Sequence, residues 1–170
     1  MPVRREIVRW EEVENLIDHL MVQFEHEFEA MVIITRGGIV PGGMLAEAMD
    51  IKDILTAAVH FPADMESEKL LAWPKFIQFP EDDQLRGRRV LVVDDVWGSG
   101  RTSTAVKNRV SAGGGLPQTS VLHFNPYRNL FGTARPDYFA ASTDAYIVYP
   151  WELDRGSDAM LGNLPQFGEG

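Results

Sequence analysis

The stretch Val90–Ser103 (VLVVDDVWGSGRTS) decides the fold expected for this chain. Its first four residues, Val90–Val93, form an aliphatic run that is typical of a central strand of a parallel sheet, buried on both faces. Two adjacent carboxylates, Asp94 and Asp95, follow the strand. A turn rich in glycine and hydroxyl side chains comes next, and a helix pattern begins at about Thr102. These residues therefore predict a strand, a polar loop and a helix in succession.

The loop after this strand predicts an anion site. Gly98 and Gly100 allow φ > 0 and a close approach of the backbone to a ligand. The hydroxyl groups and the free N–H groups at the helix start point to one spot, which suits a phosphate. Asp94 and Asp95 suit sugar hydroxyls, or a metal held through water. A sugar phosphate would satisfy both ends, although hydroxyls at a helix start are also ordinary capping residues.

Length, charge and cysteine content bound the class of protein. A chain of 170 residues is expected to form a single domain, 1–170, with residues 155–170 as a loose tail. The chain has no cysteine, which excludes disulfides and thiolate chemistry and agrees with a cytoplasmic location. No stretch is apolar and long enough to span a membrane. The net charge of −9 argues against nucleic acid as a partner.

Hydrophobic periodicity predicts alternating strands and helices along the chain. Such alternation favours an α/β fold, an open and mostly parallel sheet flanked by helices, with ligands at the carboxyl ends of the strands. Helices are predicted at Trp10 to about Phe28, at 42–49 and from about Thr102 to Ala112. Strands are predicted at 30–35, 54–61, 75–79, 90–93, 119–124, 137–141 and 145–149.

A second glycine-rich loop follows the first predicted strand of the sheet. Arg36, Gly37 and Gly38 come directly after Thr35, and Arg36 is a fixed cation with a forked set of donors, which suits a pyrophosphate. The alternative is a tight turn between a strand and a helix, with an arginine on its surface.

Both loops resemble those of a known family. VLVVDDVWGSGRTS resembles the phosphoribosyl-pyrophosphate (PRPP) signature of the type I phosphoribosyltransferases. ITRGGIVPGGMLAEAM, from Ile34 to Met49, resembles the pyrophosphate loop and following helix of the microbial xanthine-guanine and hypoxanthine members. The resemblance implies catalytic roles for Asp94 and Asp95 at the ribose hydroxyls. The PRPP-binding residues that it implies are Arg36, Gly37, Asp94, Asp95, Ser99, Gly100, Arg101 and Thr102.

The ending DAYIVYPWE resembles the purine-binding segment of the same enzymes. By that match Tyr146 would stack on the base, and the backbone from Ile147 would read the edge of the base. Asn125 follows the strand at 119–124, where the 6-oxopurine enzymes carry a lysine that binds the exocyclic oxygen. Gly98 stands where they carry an acid, and Val148 where xanthine-guanine enzymes carry a glutamate. The phosphate-binding residues therefore match the family, whereas the base-binding residues depart from it.

The resemblance implies Mg²⁺-dependent transfer of the 5-phosphoribosyl group of PRPP to a nucleobase, a 6-oxopurine, with release of pyrophosphate. Mg²⁺ would meet Asp94 and Asp95 through water. The resemblance also implies a small hood built from the chain ends. It implies a loop at 62–87 that closes over PRPP, with Lys69 and Lys75 near its phosphates. The implied assembly is a homodimer or homotetramer.

Two alternatives remain open. One is a non-catalytic regulatory protein that binds PRPP or a nucleotide on the same fold, which Gly98 and Asn125 favour. The other is a dinucleotide-binding oxidoreductase. Against it, GSGRTS departs from G-x-G-x-x-G at its last position, and two acids precede the loop.

Overall fold

The computed structural model describes residues 3–62 and 73–153. Some predicted features lie outside the described residues. They are Lys69, a part of the predicted loop at 62–87, and the predicted tail at 155–170. The strands are β1 (Arg5–Ile7), β2 (Ala30–Ile34), β3 (Ile54–His60), β4 (Lys75–Gln78), β5 (Arg89–Val93), β6 (Val96–Trp97), β7 (Leu116–Phe124), β8 (Tyr138–Ser142) and β9 (Tyr146–Val148). The helices are α1 (Trp10–Met21), α2 (Ile39–Ala48), α3 (Asp82–Leu85) and α4 (Arg101–Ala112), and a 3₁₀ turn spans Pro150–Glu152.

The main sheet has the order β4-β3-β2-β5-β7-β6, with β8 pairing β7 as well. Its strands pair in parallel except β4, which runs antiparallel to β3. Strand β2 pairs with β5 from Ala30 opposite Val90 to Ile33 opposite Val93, so the two strands end side by side. The prediction of an open, mostly parallel α/β sheet is confirmed.

The two faces of the central strands enter two separate cores, because successive side chains of a strand point to opposite sides. Met31, Ile33, Leu91 and Val93 pack with α1 and α2 in one core. Ala30, Val32, Ile34, Val90 and Val92 pack with Val106 and Val110 of α4 in the other. The continuous apolar runs in the sequence arise from this two-sided burial.

The first and last strands of the described residues, β1 and β9, form a small hood of their own. Strand β1 pairs in parallel with β9, with Arg5 opposite Tyr146 and Ile7 opposite Val148. Arg4 forms an ion pair with Asp144 next to these strands. The predicted small hood is therefore present, built from a strand near each end of the described residues.

Several predicted boundaries were wrong. Helix α1 ends at Met21 and not near Phe28, because Phe24 leaves the helix to pack against Tyr138, with ring centroids 4.9 Å apart. Helix α2 begins at Ile39 rather than at 42, since Pro41 lies in the first turn, where its missing N–H costs no hydrogen bond. Strand β7 begins at Leu116, three residues before the predicted start. Among the described helices, none has the length and hydropathy that crossing a bilayer requires.

Candidate active site

Two loops meet at the carboxyl ends of neighbouring strands. Arg36 and Gly37 follow β2, and Asp94 and Asp95 follow β5. They line a cleft of about 720 Å³ between the sheet and the hood. The described residues that line this cleft are Ile34, Thr35, Arg36, Gly37, Val59, Asp94, Asp95, Thr102, Tyr146, Val148, Trp151 and Glu152. The site therefore lies where ligands bind in open α/β sheets.

The two carboxylates are held by the backbone that follows β5. Asp94 Oδ1 accepts a hydrogen bond from the backbone N–H of Asp95 at 2.9 Å, and Asp95 Oδ1 accepts one from the N–H of Val96 at 2.7 Å. Burial, and then the charge of Asp95, raise the pKa of Asp94 well above its usual value. Burial also raises the pKa of Asp95. In both carboxyl groups the main cause is burial, which disfavours the charged form.

A glycine is required opposite these acids. A Cβ atom added at Gly37 would lie 2.6 Å from the carboxylate carbon and both carboxylate oxygens of Asp95. Carbon atoms in contact normally lie about 3.5–4.0 Å apart. The Arg36–Gly37 loop can therefore approach Asp95 this closely only because residue 37 has no side chain.

The loop from Asp94 to Ser103 encloses a smaller pocket of about 230 Å³ at the start of α4. Gly100 adopts φ of 82°, in the left-handed region, and a Cβ there would collide with the indole of Trp97. Ser99 Oγ accepts a hydrogen bond from the N–H of Arg101 at 3.3 Å. Because the first N–H groups of a helix have no intrahelical partner, this pocket presents donors suited to a phosphate.

Arg101 lies on the outer side of this loop. Its guanidinium group stacks over the ring of Phe61, 4.1 Å from the ring centroid. Such a cation–π contact fixes the first residue of α4 against the end of β3.

The hood supplies the aromatic wall of the cleft. Tyr146 is 46% exposed, and the Arg5 guanidinium lies 5.9 Å from its ring centroid. Trp151 stacks on Tyr149, with ring centroids 4.6 Å apart and planes 5° apart. This wall can hold a flat heterocycle against an aromatic ring.

A buried hydrogen-bond chain joins the hood to the acids. The Tyr149 hydroxyl donates to the backbone carbonyl of Asp95 at 3.0 Å and lies 2.7 Å from Nδ1 of His123. Since the hydroxyl has one proton, Nδ1 of His123 is the donor in the second bond. Burial lowers the pKa of His123 to about 4, so the ring is neutral at pH 7.

The structure brings all eight predicted PRPP-binding residues to these two pockets. Arg36, Gly37 and Thr102 line the cleft, and Ser99, Gly100 and Arg101 line the smaller pocket beside it. Asp94 and Asp95 line both pockets. Lys75 lies in β4, outside the residues that line the two pockets.

Only one of the three predicted base-binding residues lines the cleft among the described residues. Tyr146 lines the cleft, whereas Asn125 and Ile147 are not among the described residues that line it. The Asn125 side chain is buried, and its Oδ1 accepts a hydrogen bond from the N–H of Tyr127 at 3.1 Å. The Ile147 side chain packs in the core below the hood, between two strand neighbours that do face the cleft.

Sequence reasoning gave no role to Thr35, Trp151 and Glu152, which line the cleft, or to His123, which is bonded to Tyr149. A signal for two of them was present, since Trp151 and Glu152 belong to the segment DAYIVYPWE, which also carries the predicted base-binding residue Tyr146. No local pattern identifies His123, because its partner Tyr149 lies 26 positions later in the chain.

Comparison with known proteins supports this description. No protein-family model matches the chain. A xanthine-guanine phosphoribosyltransferase of Desulfotalea psychrophila is 29% identical over 142 residues, which cover 79% of this chain and 76% of that protein. A purine phosphoribosyltransferase from Pyrococcus horikoshii is similar in structure, with a TM-score of 0.74 at 24% identity, over 89% of this chain and 97% of that one.

The chain has the phosphoribosyltransferase fold. A second solved structure with this fold is a protein from Neisseria gonorrhoeae with bound ppGpp. It has a TM-score of 0.75 and 21% identity, and the match covers 95% of this chain and 96% of that one. The resemblance to the microbial xanthine-guanine enzymes is thus confirmed over most of the chain, and the relatives support the prediction of an enzyme of this class.

Proposed function

We propose that this protein transfers the 5-phosphoribosyl group of PRPP to a 6-oxopurine base and releases pyrophosphate. The observation that carries the proposal is the arrangement of Arg36–Gly37, Asp94–Asp95 and the loop at 98–103 around two adjoining pockets at the carboxyl ends of β2 and β5. This order of cation, carboxylate pair and phosphate-sized pocket matches the order of pyrophosphate, ribose and 5′-phosphate in PRPP.

The chain's own residues act mainly by positioning and by electrostatics. Asp94 and Asp95 accept hydrogen bonds from the ribose hydroxyls and stabilise positive charge that develops on the ring as the bond to pyrophosphate breaks. Arg36 donates to the departing pyrophosphate. The N–H groups at the start of α4, with Ser99 and Thr102, hold the 5′-phosphate, so the anomeric carbon faces the hood.

The site suits Mg²⁺ carried by PRPP. Asp95 is buried and Asp94 is half-buried, and burial raises the pKa of both carboxyl groups, so a cation or hydroxyl groups beside them would stabilise the charged forms. No group of three or more potential metal ligands occurs among residues 3–62 and 73–153, which agrees with an ion held through water and pyrophosphate. When bound, Mg²⁺ neutralises charge on the pyrophosphate.

The base is proposed to lie against Tyr146 at the hood. The half-exposed ring of Tyr146 and the neighbouring Trp151 supply the flat surfaces, and Val148 supplies an apolar side. Asn125 can donate to the base through its Nδ2 while its Oδ1 keeps the bond to Tyr127, but this requires the buried side chain to become accessible from the cleft.

The test combines binding with a turnover screen. PRPP with Mg²⁺ is titrated by calorimetry, and release of pyrophosphate is then measured with hypoxanthine, guanine, xanthine, adenine, uracil and orotate. Release with a 6-oxopurine supports the proposal. The Asp95→Asn variant should fold normally and use PRPP poorly, and unchanged turnover in that variant would contradict the site.

A second candidate is a non-catalytic nucleotide-binding regulator. It is favoured by Gly98, which leaves the loop without the acid of the 6-oxopurine enzymes, and by the bound ppGpp of the Neisseria gonorrhoeae protein. Tight binding of PRPP or a nucleotide, with no release for any base, would support this candidate.

Assembly and location stay predictions. The family resemblance predicts a homodimer or homotetramer, and the absence of cysteine agrees with a cytoplasmic location. Sedimentation of the purified chain would test the first of them.

A further inference from the structure

Glu152 is a cleft-lining carboxylate that neither the PRPP site nor the acid pair uses. It ends the 3₁₀ turn Pro150–Glu152, where one of its oxygens, Oε2, accepts a hydrogen bond from the N–H of Tyr149 at 2.8 Å. Its side chain is exposed, and no ion pair to it occurs among the residues that the structure describes. The other oxygen, Oε1, is thus left for a ligand.

The position of Glu152 places this oxygen at the base end of the cleft. Glu152 directly follows Trp151, whose ring is fixed by the stack on Tyr149, and it shares the cleft with Tyr146 and Val148. The charge of Glu152 contributes to the raised pKa of Asp95, so the carboxylate is close to the ribose site too. Its backbone anchor at Tyr149 restrains it in this place.

The charges around the cleft favour a ligand that presents a hydrogen-bond donor to Glu152. Three carboxylates, Asp94, Asp95 and Glu152, line it among the described residues, with Arg36 as the cation. Arg36 lies at the pyrophosphate end, and the wall around Glu152 is aromatic or apolar. A carboxylate accepts hydrogen bonds and cannot donate them, so a ligand carbonyl facing Glu152 would be repelled.

We propose that Glu152 selects the base by accepting hydrogen bonds from N–H groups on its edge. This inference rests on the proposed function. Guanine presents two adjacent donors, N1–H and the 2-amino group, and hypoxanthine presents N1–H alone. Xanthine presents N1–H next to a carbonyl oxygen at position 2, which the carboxylate would repel. The order of preference is therefore guanine, then hypoxanthine, then xanthine, since a hydrogen bond to a charged group is worth about tenfold to 100-fold in specificity.

The experiment compares kcat/KM for these three bases in the wild type, Glu152→Gln and Glu14→Gln. In Glu152→Gln the amide oxygen can keep the bond to the Tyr149 N–H, so the fold is retained, and the amide nitrogen now faces the ligand as a donor. The guanine-to-hypoxanthine ratio should fall about tenfold or more and xanthine should improve. Because Glu152 is also close to the ribose site, any change in the KM for PRPP should be the same with all three bases. Glu14→Gln removes the same charge from the exposed face of α1 and should match the wild type.

The outcomes separate this inference from the proposed function. Turnover with the same base ratios in wild type and Glu152→Gln would overturn the role of Glu152 and leave the transferase intact. With no turnover for any base, the proposed function fails, and calorimetry with GMP, IMP and XMP becomes the readout. A preference for GMP that disappears in Glu152→Gln would then support Glu152, and equal binding of the three nucleotides, or no binding, would overturn it.

Discussion

The Tyr149 hydroxyl donates a 3.0 Å hydrogen bond to the backbone carbonyl of Asp95, which couples the hood to the acid pair. The same carbonyl accepts bonds from the N–H groups of Leu122 and His123 in β7. The ring of Tyr149 meanwhile supports Trp151 from behind. One buried side chain thus sets the separation between the candidate ribose site and the aromatic wall.

Tyr149→Phe should therefore impair transfer more than it impairs folding. The stack on Trp151 is kept, but Nδ1 of His123 loses its partner and Asp95 loses one anchor, which costs about 1–2 kcal/mol of stability. We expect a lower kcat with little change in the KM for the base. Tyr138→Phe is the matched control, because that hydroxyl bonds Gln118 at 3.0 Å outside the cleft. Equal kinetics in the two variants would contradict a positioning role.

Gly37→Ala should disrupt the site directly. The new Cβ would meet the Asp95 carboxylate at 2.6 Å, so the loop or the carboxylate must move. Overpacking of this kind costs about 1–3 kcal/mol. We expect a large loss of PRPP affinity in calorimetry. Gly43→Ala, in α2, where a Cβ meets nothing within 4 Å, should bind PRPP normally and be slightly more stable. Normal PRPP binding by Gly37→Ala would show that the contact with Asp95 is unimportant.

Asp94→Asn should stabilise the protein while it removes activity. The pKa of Asp94 is raised in the fold, so ionisation above that pKa costs stability, and the cost disappears as the pH falls below the unfolded value near 3.8. The amide keeps an oxygen for the Asp95 N–H. We expect a melting temperature several degrees higher at pH 7, since about 1 kcal/mol corresponds to about 2–4 °C in a domain of this size.

The gain from Asp94→Asn should shrink towards pH 4. Asp18→Asn, on the exposed face of α1, serves as the control for the change of charge. A melting temperature that is lower at pH 7 in Asp94→Asn than in the wild type would contradict the destabilising burial of this charge.

His123 should remain neutral well below pH 6. Its pKa is lowered to about 4 by burial, against 6.5 in the unfolded chain. Because the unfolded state binds the proton more readily, stability is lost as the pH falls from about 6.5 to 4, by up to about 3 kcal/mol. NMR titration of the imidazole measures this pKa, and His123→Gln should flatten the loss. A midpoint near 6.5 in the folded protein would refute the buried, neutral ring.

The central strands and their loops could be predicted from the sequence because their signals are local. The run Val90–Val93, the adjacent acids and the glycines of both loops lie within a few residues of one another, and each carries its own physical constraint. The end of α1 could not be predicted, because Phe24 continues the helical pattern but packs on Tyr138, which is 114 positions away in the chain.

The sequence by itself determined the class of fold and identified the candidate residues for PRPP binding. Burial on both faces of a strand produces a continuous apolar run, and a close approach of two loops requires glycine, so both features can be recognised in the sequence. Only the tertiary structure decided the base end of the cleft. It pairs β1 with β9, buries Asn125 and Ile147, and brings Trp151 and Glu152 to the cleft. These contacts join residues that are far apart in the chain, and their geometry depends on packing and hydrogen bonding in the complete fold.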